Sequence, residues 1–326
     1  MKWYNVANIL KYNTTFNFTF GGRGIGKTYS TLKWLVESGK RFIYLRNAQT
    51  EIDMGCLPEC NPFKAINADT GANYYFKKVS KEMTCVYDGE NNLLGYATAL
   101  STYAKLRGVD FSDVEVIFFE EFNTSFRIPK EQGTLFCNFY ETVNRNRELL
   151  GKQPVICIMM GNAITIANPI IATFGLIETC EQMITNGIEI SYNKESETLV
   201  EIVNADTSEV SKAKKETALY KAIKGTDYYK HSVDNTFTSD SFFNIAKMNV
   251  NEYKPLCKYD DVVIFAHKTE RRYYACITNV KAKSYNKDTL DSFLRDYGTM
   301  LRNAQIDNVF YYQNFAVKTK IANILY

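Results

Sequence analysis

The chain has 326 residues, of which 45% are hydrophobic and 23% are charged. This composition is typical of globular proteins and excludes collagen-like and disordered chains, and the length allows one large domain or two ordinary ones. The opening residues lack the apolar core of a secretory signal, and no stretch approaches the roughly 18 apolar residues of a membrane span. We therefore expect no membrane partner. Eight scattered cysteines and two histidines predict a reducing compartment and no zinc site.

Charge is distributed unevenly along the chain. Residues 1–211 carry 20 Lys and Arg against 24 Asp and Glu, whereas residues 212–326 carry 19 against 12, so the net charge changes from −4 to +7. The C-terminal third is therefore the part that would attract a polyanion. A solvated basic face that binds nothing is the alternative.

Apolar, β-rich runs alternate with helical patterns in the first half of the chain. Strands are predicted over 15–20, 41–46, 74–79, 84–87, 93–97, 114–119 and 154–160, and helices over 29–38 and 130–150. The turn DGENN makes 74–97 a β-meander, which we expect to be inserted in the fold. Strands that are apolar throughout and separated by helices predict a mostly parallel sheet covered on both faces.

The second half begins with a polar, charged stretch over 194–232, which predicts a linker that carries a helix at about 209–223. Beyond it, strands are predicted over 261–267, 273–278 and 308–312, with helices over 289–303 and at the C-terminus. The sequence thus predicts an α/β protein with a first domain over 1–193 and a small α/β domain over 233–326.

The sharpest motif is GGRGIGKT, which satisfies G-x-x-x-x-G-K-[ST] directly between a predicted strand and a predicted helix. In such a loop, backbone N–H groups at the helix start face a phosphate. We expect Lys27 to bridge the β- and γ-phosphates of ATP and Thr28 to place its hydroxyl on Mg²⁺. An ordinary glycine-rich turn is the alternative. The predicted nucleotide-binding residues are Gly21, Gly22, Arg23, Gly24, Ile25, Gly26, Lys27 and Thr28.

The run VIFFEE ends an apolar strand in two acids, which is the Walker B pattern. Glu120 stands where Asp is usual, and its extra methylene should still let it reach Mg²⁺ through water. Glu121 is then placed to orient and polarise the attacking water, as in the ATPase branch of P-loop proteins. We expect this strand to lie beside the strand that precedes the P-loop. A pair of solvated acids is the alternative.

Four further positions are candidates for the same site. Asn162 follows an apolar strand and is a candidate contact of the γ-phosphate or the lytic water; a plain turn residue is the alternative. Arg145 and Arg147 are predicted on one helix face near the carboxyl-terminal edge of the sheet, where arginine can stabilise transition-state charge. A solvated basic face is the alternative for this pair, and Arg107 is a third free arginine.

The motifs GGRGIGKT, ALSTYAKLRG, EVIFFEEF, ETVNRNRE and GNAITIANP occur in this order. Together they closely resemble the DNA-packaging ATPases of φ29-like tailed phages. The tail segments KAIKGTDYYKHSVDNTF and FYYQNFAVKTKIANIL continue the resemblance, which covers nearly the whole chain.

The resemblance implies a P-loop NTPase domain of the additional-strand, catalytic-glutamate type and a C-terminal ribonuclease-H-like domain without nuclease activity. It implies an ATP- and Mg²⁺-dependent motor, five copies of which form a ring at the portal of a procapsid and pump in double-stranded DNA. It makes Arg145 the arginine finger of the neighbouring subunit's ATP site and Asn162 part of a motif that couples hydrolysis to movement. Glu120 departs from the family's Asp.

The same resemblance implies a protein of the host cytoplasm that attaches transiently to the procapsid and is absent from the mature virion. A packaging RNA is an optional further partner. The basic surplus suits contacts with the DNA backbone that read no sequence, for which Lys212, Lys214 and Lys215 are the candidates.

The residues also argue against a nuclease. A two-metal nuclease needs several carboxylates that converge on its metals. After residue 232 no acid lies inside a predicted apolar strand, although Asp260 and Asp261 lead into one.

Three other functions stay open at this point. A helicase-like DNA-remodelling ATPase is opposed mainly by the resemblance. A small-molecule phosphotransferase would need an acceptor pocket and a lid rather than Glu121. A non-hydrolysing nucleotide-binding module is also disfavoured by Glu121.

Overall fold

The structure is a computed structural model that describes residues 2–106, 108–124, 131–206, 208–235, 237 and 244–325. The chain divides into two compact units, one of Met1–Phe174 and Gln182–Ser239 and the other of Gly175–Glu181 and Asp240–Tyr326. Within the described residues, no helix is both long enough and apolar enough to cross a bilayer.

A nine-stranded sheet forms the centre of the first unit, in the order β3-β4-β5-β2-β6-β7-β1-β9-β8. Its strands are β1 (Phe16–Phe20), β2 (Phe42–Arg46), β3 (Tyr75–Lys78), β4 (Thr84–Tyr87), β5 (Leu93–Ala99), β6 (Val116–Glu120), β7 (Ile156–Gly161), β8 (Ile190–Asn193) and β9 (Thr198–Ile202). The six strands from β5 to β9 in this order are parallel. The predicted, mostly parallel sheet is therefore confirmed.

The predicted meander continues the main sheet instead of standing apart from it. Strands β3, β4 and β5 pair antiparallel with one another, but β5 also pairs in parallel with β2. The predicted turn over 88–92 is present between β4 and β5. The pairing of β5 with β2 joins segments that are distant in sequence, and a local pattern does not predict it.

The first unit extends past the predicted boundary at residue 193. Strand β9 has four buried residues and pairs in parallel with β1, the strand that leads into the P-loop. Further along, the side-chain amide of Asn235 donates to the carbonyls of Phe20 and Val203 at 3.2 and 2.7 Å. Residues 194–232 are therefore not a linker, because they supply a strand of the sheet and helices of the same unit.

Helices surround this sheet. They are α1 (Ala7–Leu10), α2 (Lys27–Ser38), α3 (Gln49–Gly55), α4 (Lys64–Thr70), α5 (Gln132–Asn144), α6 (Pro169–Thr173), α7 (Ile177–Asn186), α8 (Glu209–Lys215), α9 (Ala218–Ala222) and α10 (Asp227–Ser232), and α7 crosses from one unit to the other. The predicted helix over 130–150 is shorter than expected. It ends at Asn144 because Arg145 and Asn146 both adopt left-handed backbone conformations, with φ of 44° and 56°.

The second unit has a five-stranded mixed sheet in the order β13-β10-β11-β12-β14. Its elements are β10 (Tyr253–Tyr259), β11 (Val262–His267), β12 (Tyr273–Ile277), β13 (Ser284–Tyr285), α11 (Leu290–Phe293), α12 (Thr299–Ile306), β14 (Phe310–Tyr312) and α13 (Phe315–Leu325). A π-helical turn, Leu294–Gly298, joins α11 to α12. The predicted small α/β arrangement is present, with β10 and β13 as two additional strands that the sequence pattern did not reveal.

Candidate active site

The P-loop connects the end of β1 to the start of α2, as its motif requires. The amide of Gly21 donates to the carbonyl of Gly161 at 3.2 Å, and the amide of Arg23 donates to the carbonyl of Ser232 at 3.2 Å. A Cβ at Gly22 would lie 2.8 Å from that same Ser232 oxygen, so glycine is required there by close packing. The loop is thus held from two sides, by the end of β7 and by the last residue of α10.

Lys27 is folded back onto its own loop. Its Nζ donates to the carbonyls of Gly21 and Gly22 at 2.7 and 2.8 Å and lies 3.5 Å from Oδ1 of Asn162. Burial lowers the pKa of Lys27 to about 7, while the nearby charge of Glu120 opposes this shift. An incoming triphosphate would replace the two carbonyls with a stronger, charged partner.

The two predicted magnesium ligands are in direct contact. The hydroxyl of Thr28 donates to Oε1 of Glu120, a buried residue at the end of β6, and the hydroxyl of Tyr44 donates to Oε2 of the same carboxylate. A hydroxyl and a carboxylate are oxygen donors of the kind that Mg²⁺ prefers, with nucleotide phosphates and water filling its remaining positions. The residues present therefore fit this ion, and the longer side chain of Glu120 reaches the position that the motif requires.

Arg46 is the residue of this site that sequence reasoning missed. It is the last residue of β2, beside the end of β6, and its guanidinium donates to Glu120 at 3.0 Å, to Glu121 at 2.8 Å and to Glu51 at 2.6 Å. The side chains of Arg46 and Glu120 are only 14% and 11% exposed, so solvent screens this pair weakly. The sequence feature that could have indicated its role is an arginine at the carboxyl end of an otherwise apolar strand. Glu120 has the same position in β6.

Glu121 adopts a left-handed backbone conformation with φ of 52°, which is uncommon for a residue with a side chain and occurs often at functional sites. Its carbonyl accepts from the side-chain amide of Asn47 at 2.9 Å. Gln132 in turn donates to Asn47 at 2.7 Å and to the carbonyl of Phe122 at 2.9 Å. These bonds hold the turn after β6 so that the carboxylate of Glu121 stands beside that of Glu120.

Asn162 lies at the tip of β7, next to Lys27, as its predicted role requires. The order of the strands differs from the prediction. The acidic strand β6 does not lie beside β1, the strand that leads into the P-loop, because β7 lies between them. One strand therefore separates the two motifs, and the hydrogen bond from Thr28 to Glu120 connects them across it.

Arg145 is not on a helix face and is not near the carboxyl-terminal edge of the sheet. It follows the last residue of α5, Asn144, whose side chain accepts from the amide of Val155 just before β7 begins. Its guanidinium donates to the carbonyl of Val109 at 2.6 Å and lies 3.4 Å from Asp110, ahead of β6. The prediction was wrong because α5 runs back along the sheet and ends at the opposite edge from the P-loop.

The other two arginine candidates have different outcomes. Arg147 lies close to Arg145 and donates to the carbonyl of Ser112 at 2.8 Å, also ahead of β6. Arg107 lies outside the described residues.

The three lysines predicted to bind DNA have different environments. Lys212 is exposed. Lys214 is half-buried and its Nζ donates to the carbonyl of Arg23 in the P-loop and, at 3.4 Å, to that of Ser232. Lys215 pairs with Asp234 at 2.9 Å. Lys214 is thus part of the surroundings of the P-loop, and Lys212 is the most exposed of the three lysines.

The sheet is mostly parallel, and one of its interior strands leads into a GKT loop. A hydroxyl contacts a buried acid at this loop, and a second acid lies beside the first. These features define a P-loop nucleotide-binding protein. Residues 1–309 match the model of the podovirus DNA encapsidation protein (Gp16) family, and the chain belongs to this family.

Relatives named as DNA packaging proteins have substantial identity to this chain. That of Bacillus phage B103 is 32% identical over 252 residues, which cover 74% of this chain and 70% of the relative. Those of Bacillus phages PZA and phi29 are each 29% identical over 261 residues, which cover 75% of this chain and 69% of the relative.

Two solved structures have a similar fold. A chain of the bacteriophage Phi-29 viral genome packaging motor assembly has a TM-score of 0.67 at 21% identity and covers 99% of both chains. A chain of the Phi-28 gp11 DNA packaging motor has a TM-score of 0.63 at 18% identity, over 99% of this chain and 98% of the other.

The position of Arg46 predicts a large loss of stability in Arg46→Gln, because several carboxylates would lose their shared cation. We expect the free energy of unfolding in urea to fall by about 3 kcal/mol, the scale found when one partner of a buried pair is removed. Adding Glu120→Gln should restore part of the loss, since it removes a desolvated charge. The matched control is Lys40→Gln, whose exposed partner Glu115 lies 2.9 Å away, and it should change stability by less than about 1 kcal/mol. Equal stability of Arg46→Gln and the control would contradict this account.

The contact between Lys214 and the P-loop predicts that Lys214→Met weakens nucleotide binding, whereas Lys212→Met leaves it unchanged. Loss of a charged hydrogen bond to a loop carbonyl should raise the Kd for ADP about tenfold, after allowance for partial exposure. The measurement is isothermal titration calorimetry on both full-length variants. If the two variants bind ADP equally well, Lys214 does not support the loop.

Proposed function

We propose that this protein is an ATP-driven motor that translocates double-stranded viral DNA into a procapsid. The observation that carries the proposal is the contact of Thr28 with Glu120, with Glu121 held beside them at the mouth of the P-loop. Membership of the DNA encapsidation family supports the choice of DNA packaging among the uses of such a site.

In this proposal Lys27 leaves the carbonyls of Gly21 and Gly22 and binds the β- and γ-phosphates of ATP. Thr28 and Glu120 would hold Mg²⁺, which when bound neutralises part of the phosphate charge. Asn162, 3.5 Å from Lys27, is placed to contact the γ-phosphate and to couple its loss to movement of the tip of β7.

Glu121 is the proposed base that orients and polarises the attacking water. Arg46 donates to one of its oxygens at 2.8 Å, which fixes the carboxylate and leaves its other oxygen to accept from water. The side chain is 36% exposed, so water has access to it. The strand order, with β7 between the P-loop strand and β6, suits the additional-strand branch of P-loop ATPases.

Glu121→Gln tests this role. The amide keeps the shape but is a far weaker base, so we expect ATP binding to persist while kcat falls by about a hundredfold or more. Steady-state hydrolysis and equilibrium nucleotide binding measure the two effects separately. Glu115→Gln, on the approach to the same strand, is the control and should keep normal turnover. Loss of nucleotide binding in Glu121→Gln would show that the roles of the two adjacent acids are reversed.

Arg145 is proposed to act on the ATP of a neighbouring subunit. It lies at the edge of the sheet opposite its own P-loop, so we propose that it contacts the nucleotide site of another copy of the chain. A guanidinium is planar, always charged and able to contact two phosphate oxygens, and supplied in trans it accelerates hydrolysis by about 10³–10⁵ in well-studied cases. A closed ring, of five subunits by the family resemblance, would pair each P-loop with such an arginine.

Mixing two inactive variants tests this arrangement. Arg145→Ala should bind ATP but hydrolyse it poorly, and Lys27→Ala should lose its own site but keep its arginine. Freshly co-assembled mixtures should regain part of the ATPase activity, because some interfaces pair an intact P-loop with an intact arginine. The regained activity should vanish at dilutions where subunits separate. If mixtures under proven co-assembly give only the average of the two variants, Arg145 does not act in trans.

The second unit is proposed to be a ribonuclease-H-like DNA-binding domain without nuclease activity. Its mixed sheet, with three successive antiparallel strands flanked by parallel ones, supports this fold. The acids that lead into β11 are paired with a lysine, since Nζ of Lys320 lies 3.4 Å from Asp260 and 2.5 Å from Asp261. A lysine between the two carboxylates suits a domain that grips DNA and does not cleave it.

The remaining parts of the proposal concern the assembly. We place the ring at the portal of the procapsid in the host cytoplasm, with a packaging RNA as an optional component, and the protein leaves before the virion matures. Lys212 is the residue of the lysine cluster that is exposed for contact with the DNA backbone.

A further inference from the structure

The turn after β6 and the loop after β7 lie in direct contact at the carboxyl edge of the sheet. The amide of Phe122 donates to the carbonyl of Met160 at 3.2 Å. A Cβ built on Gly161 would lie 2.8 Å from Cβ of Asn123, so only glycine allows the two backbone segments to approach so closely. The segments that follow β6 and β7 therefore pack as neighbours, although they are distant in sequence.

Asn123 joins these two segments through its side chain. It is fully buried, and its Nδ2 donates to the carbonyl of Asn162 at 3.1 Å and to that of Thr165 at 2.9 Å. Its Oδ1 has no hydrogen-bond partner among the residues that the structure describes. A buried polar atom without a partner lowers stability. The benefit of this side chain therefore lies in the two hydrogen bonds that its amide nitrogen donates to the loop after β7.

The two segments joined by Asn123 carry groups with proposed roles in hydrolysis. Asn123 follows Glu121, the proposed base, by two residues, and its side chain holds the backbone of Asn162. Oδ1 of Asn162 lies 3.5 Å from Nζ of Lys27. Glu121 is proposed to act on the attacking water and Asn162 on the γ-phosphate, so hydrolysis requires that their separation be fixed to within about 1 Å.

We propose that Asn123 is a positioning residue for ATP hydrolysis, whose side-chain amide fixes the distance between Glu121 and Asn162 without itself contacting the nucleotide. This role rests on the proposed nucleotide site and adds a further residue to it. Other contacts hold the rest of the two segments together, since Nδ2 of Asn168 donates to the carbonyl of Phe122 at 3.3 Å. Removal of the Asn123 amide should therefore release the Asn162 end of the loop while the site stays folded.

Asn123→Leu in the full-length chain tests this role, because leucine has a similar volume and donates no hydrogen bond from its side chain. We expect kcat for ATP hydrolysis to fall at least about tenfold, since a small displacement of a positioned group can cost about a hundredfold in rate. The Kd for ADP should stay unchanged, because ADP lacks the γ-phosphate that Asn162 is proposed to contact. Steady-state hydrolysis and isothermal titration calorimetry measure the two quantities.

Asn17→Leu is the matched control. Asn17 is also fully buried, and its Nδ2 donates to the carbonyls of Thr14 and Cys157 at 2.9 and 3.2 Å. It lies near the start of β1, at the other end of the strand from the P-loop. Both substitutions should lower the midpoint of urea unfolding, whereas only Asn123→Leu should lower kcat. An equal loss of kcat in both variants would assign the effect to stability and overturn the proposed role.

A double-mutant cycle with Asn162→Ala separates positioning from a general structural effect. Because Asn123 is proposed to act through Asn162, Asn123→Leu should lower kcat far less in the Asn162→Ala background than in the unmodified chain. Equal reductions in the two backgrounds, or normal kcat in Asn123→Leu, would overturn the role. Should Asn123→Leu fail to fold, Asn123→Ser, whose hydroxyl donates at most one hydrogen bond, replaces it in the same cycle with the same expected outcomes. Hydrolysis that survives Lys27→Ala would overturn the proposed nucleotide site, and the role of Asn123 with it.

Discussion

The arrangement of the site depends on one buried cation. Arg46 joins three carboxylates at the carboxyl end of two neighbouring strands, and without it Glu120 and Glu121 would repel each other where solvent screens poorly. The same guanidinium fixes one oxygen of each adjacent acid, so that Glu120 faces Thr28 and Glu121 faces the open side of the site. A single residue therefore determines both the charge balance and the geometry on which the proposed chemistry relies.

The parallel sheet explains how these groups meet. Strands β1, β2, β6 and β7 all end at the same edge, so the P-loop, Arg46, the two acids and Asn162 converge there although they are far apart in sequence. The helix that returns from β6 to β7 takes Arg145 to the opposite edge. The P-loop and Arg145 therefore lie at opposite edges of the sheet, which is the separation that the proposed trans-acting role of Arg145 needs.

The P-loop is held by three separate parts of the first unit. The N-terminal segment bonds to Ile25 and packs Trp3 on Gly26, β7 accepts from Gly21, and Lys214 together with Ser232 contacts Arg23. Each contact links the P-loop to a different part of the first unit. The helix that contains Lys214 also carries Lys212, which is exposed to solvent.

Local pattern by itself determined the P-loop between a strand and a helix, the acidic end of β6, the place of Asn162 and the mostly parallel sheet, because these follow from spacing and hydrophobic periodicity within a few residues. Tertiary structure alone decided the rest. In the sequence, β9 is part of a polar stretch, but in the structure it pairs with β1. In the sequence, Arg46 is only the last residue of a strand, but in the structure it neutralises acids some seventy-five residues away. Arg145 left the predicted edge because two left-handed residues end α5 early and the helix runs antiparallel to the strands it connects. The pairing of β9, the partners of Arg46 and the position of Arg145 all depend on which distant segments pack together. Local periodicity in the sequence does not determine this packing.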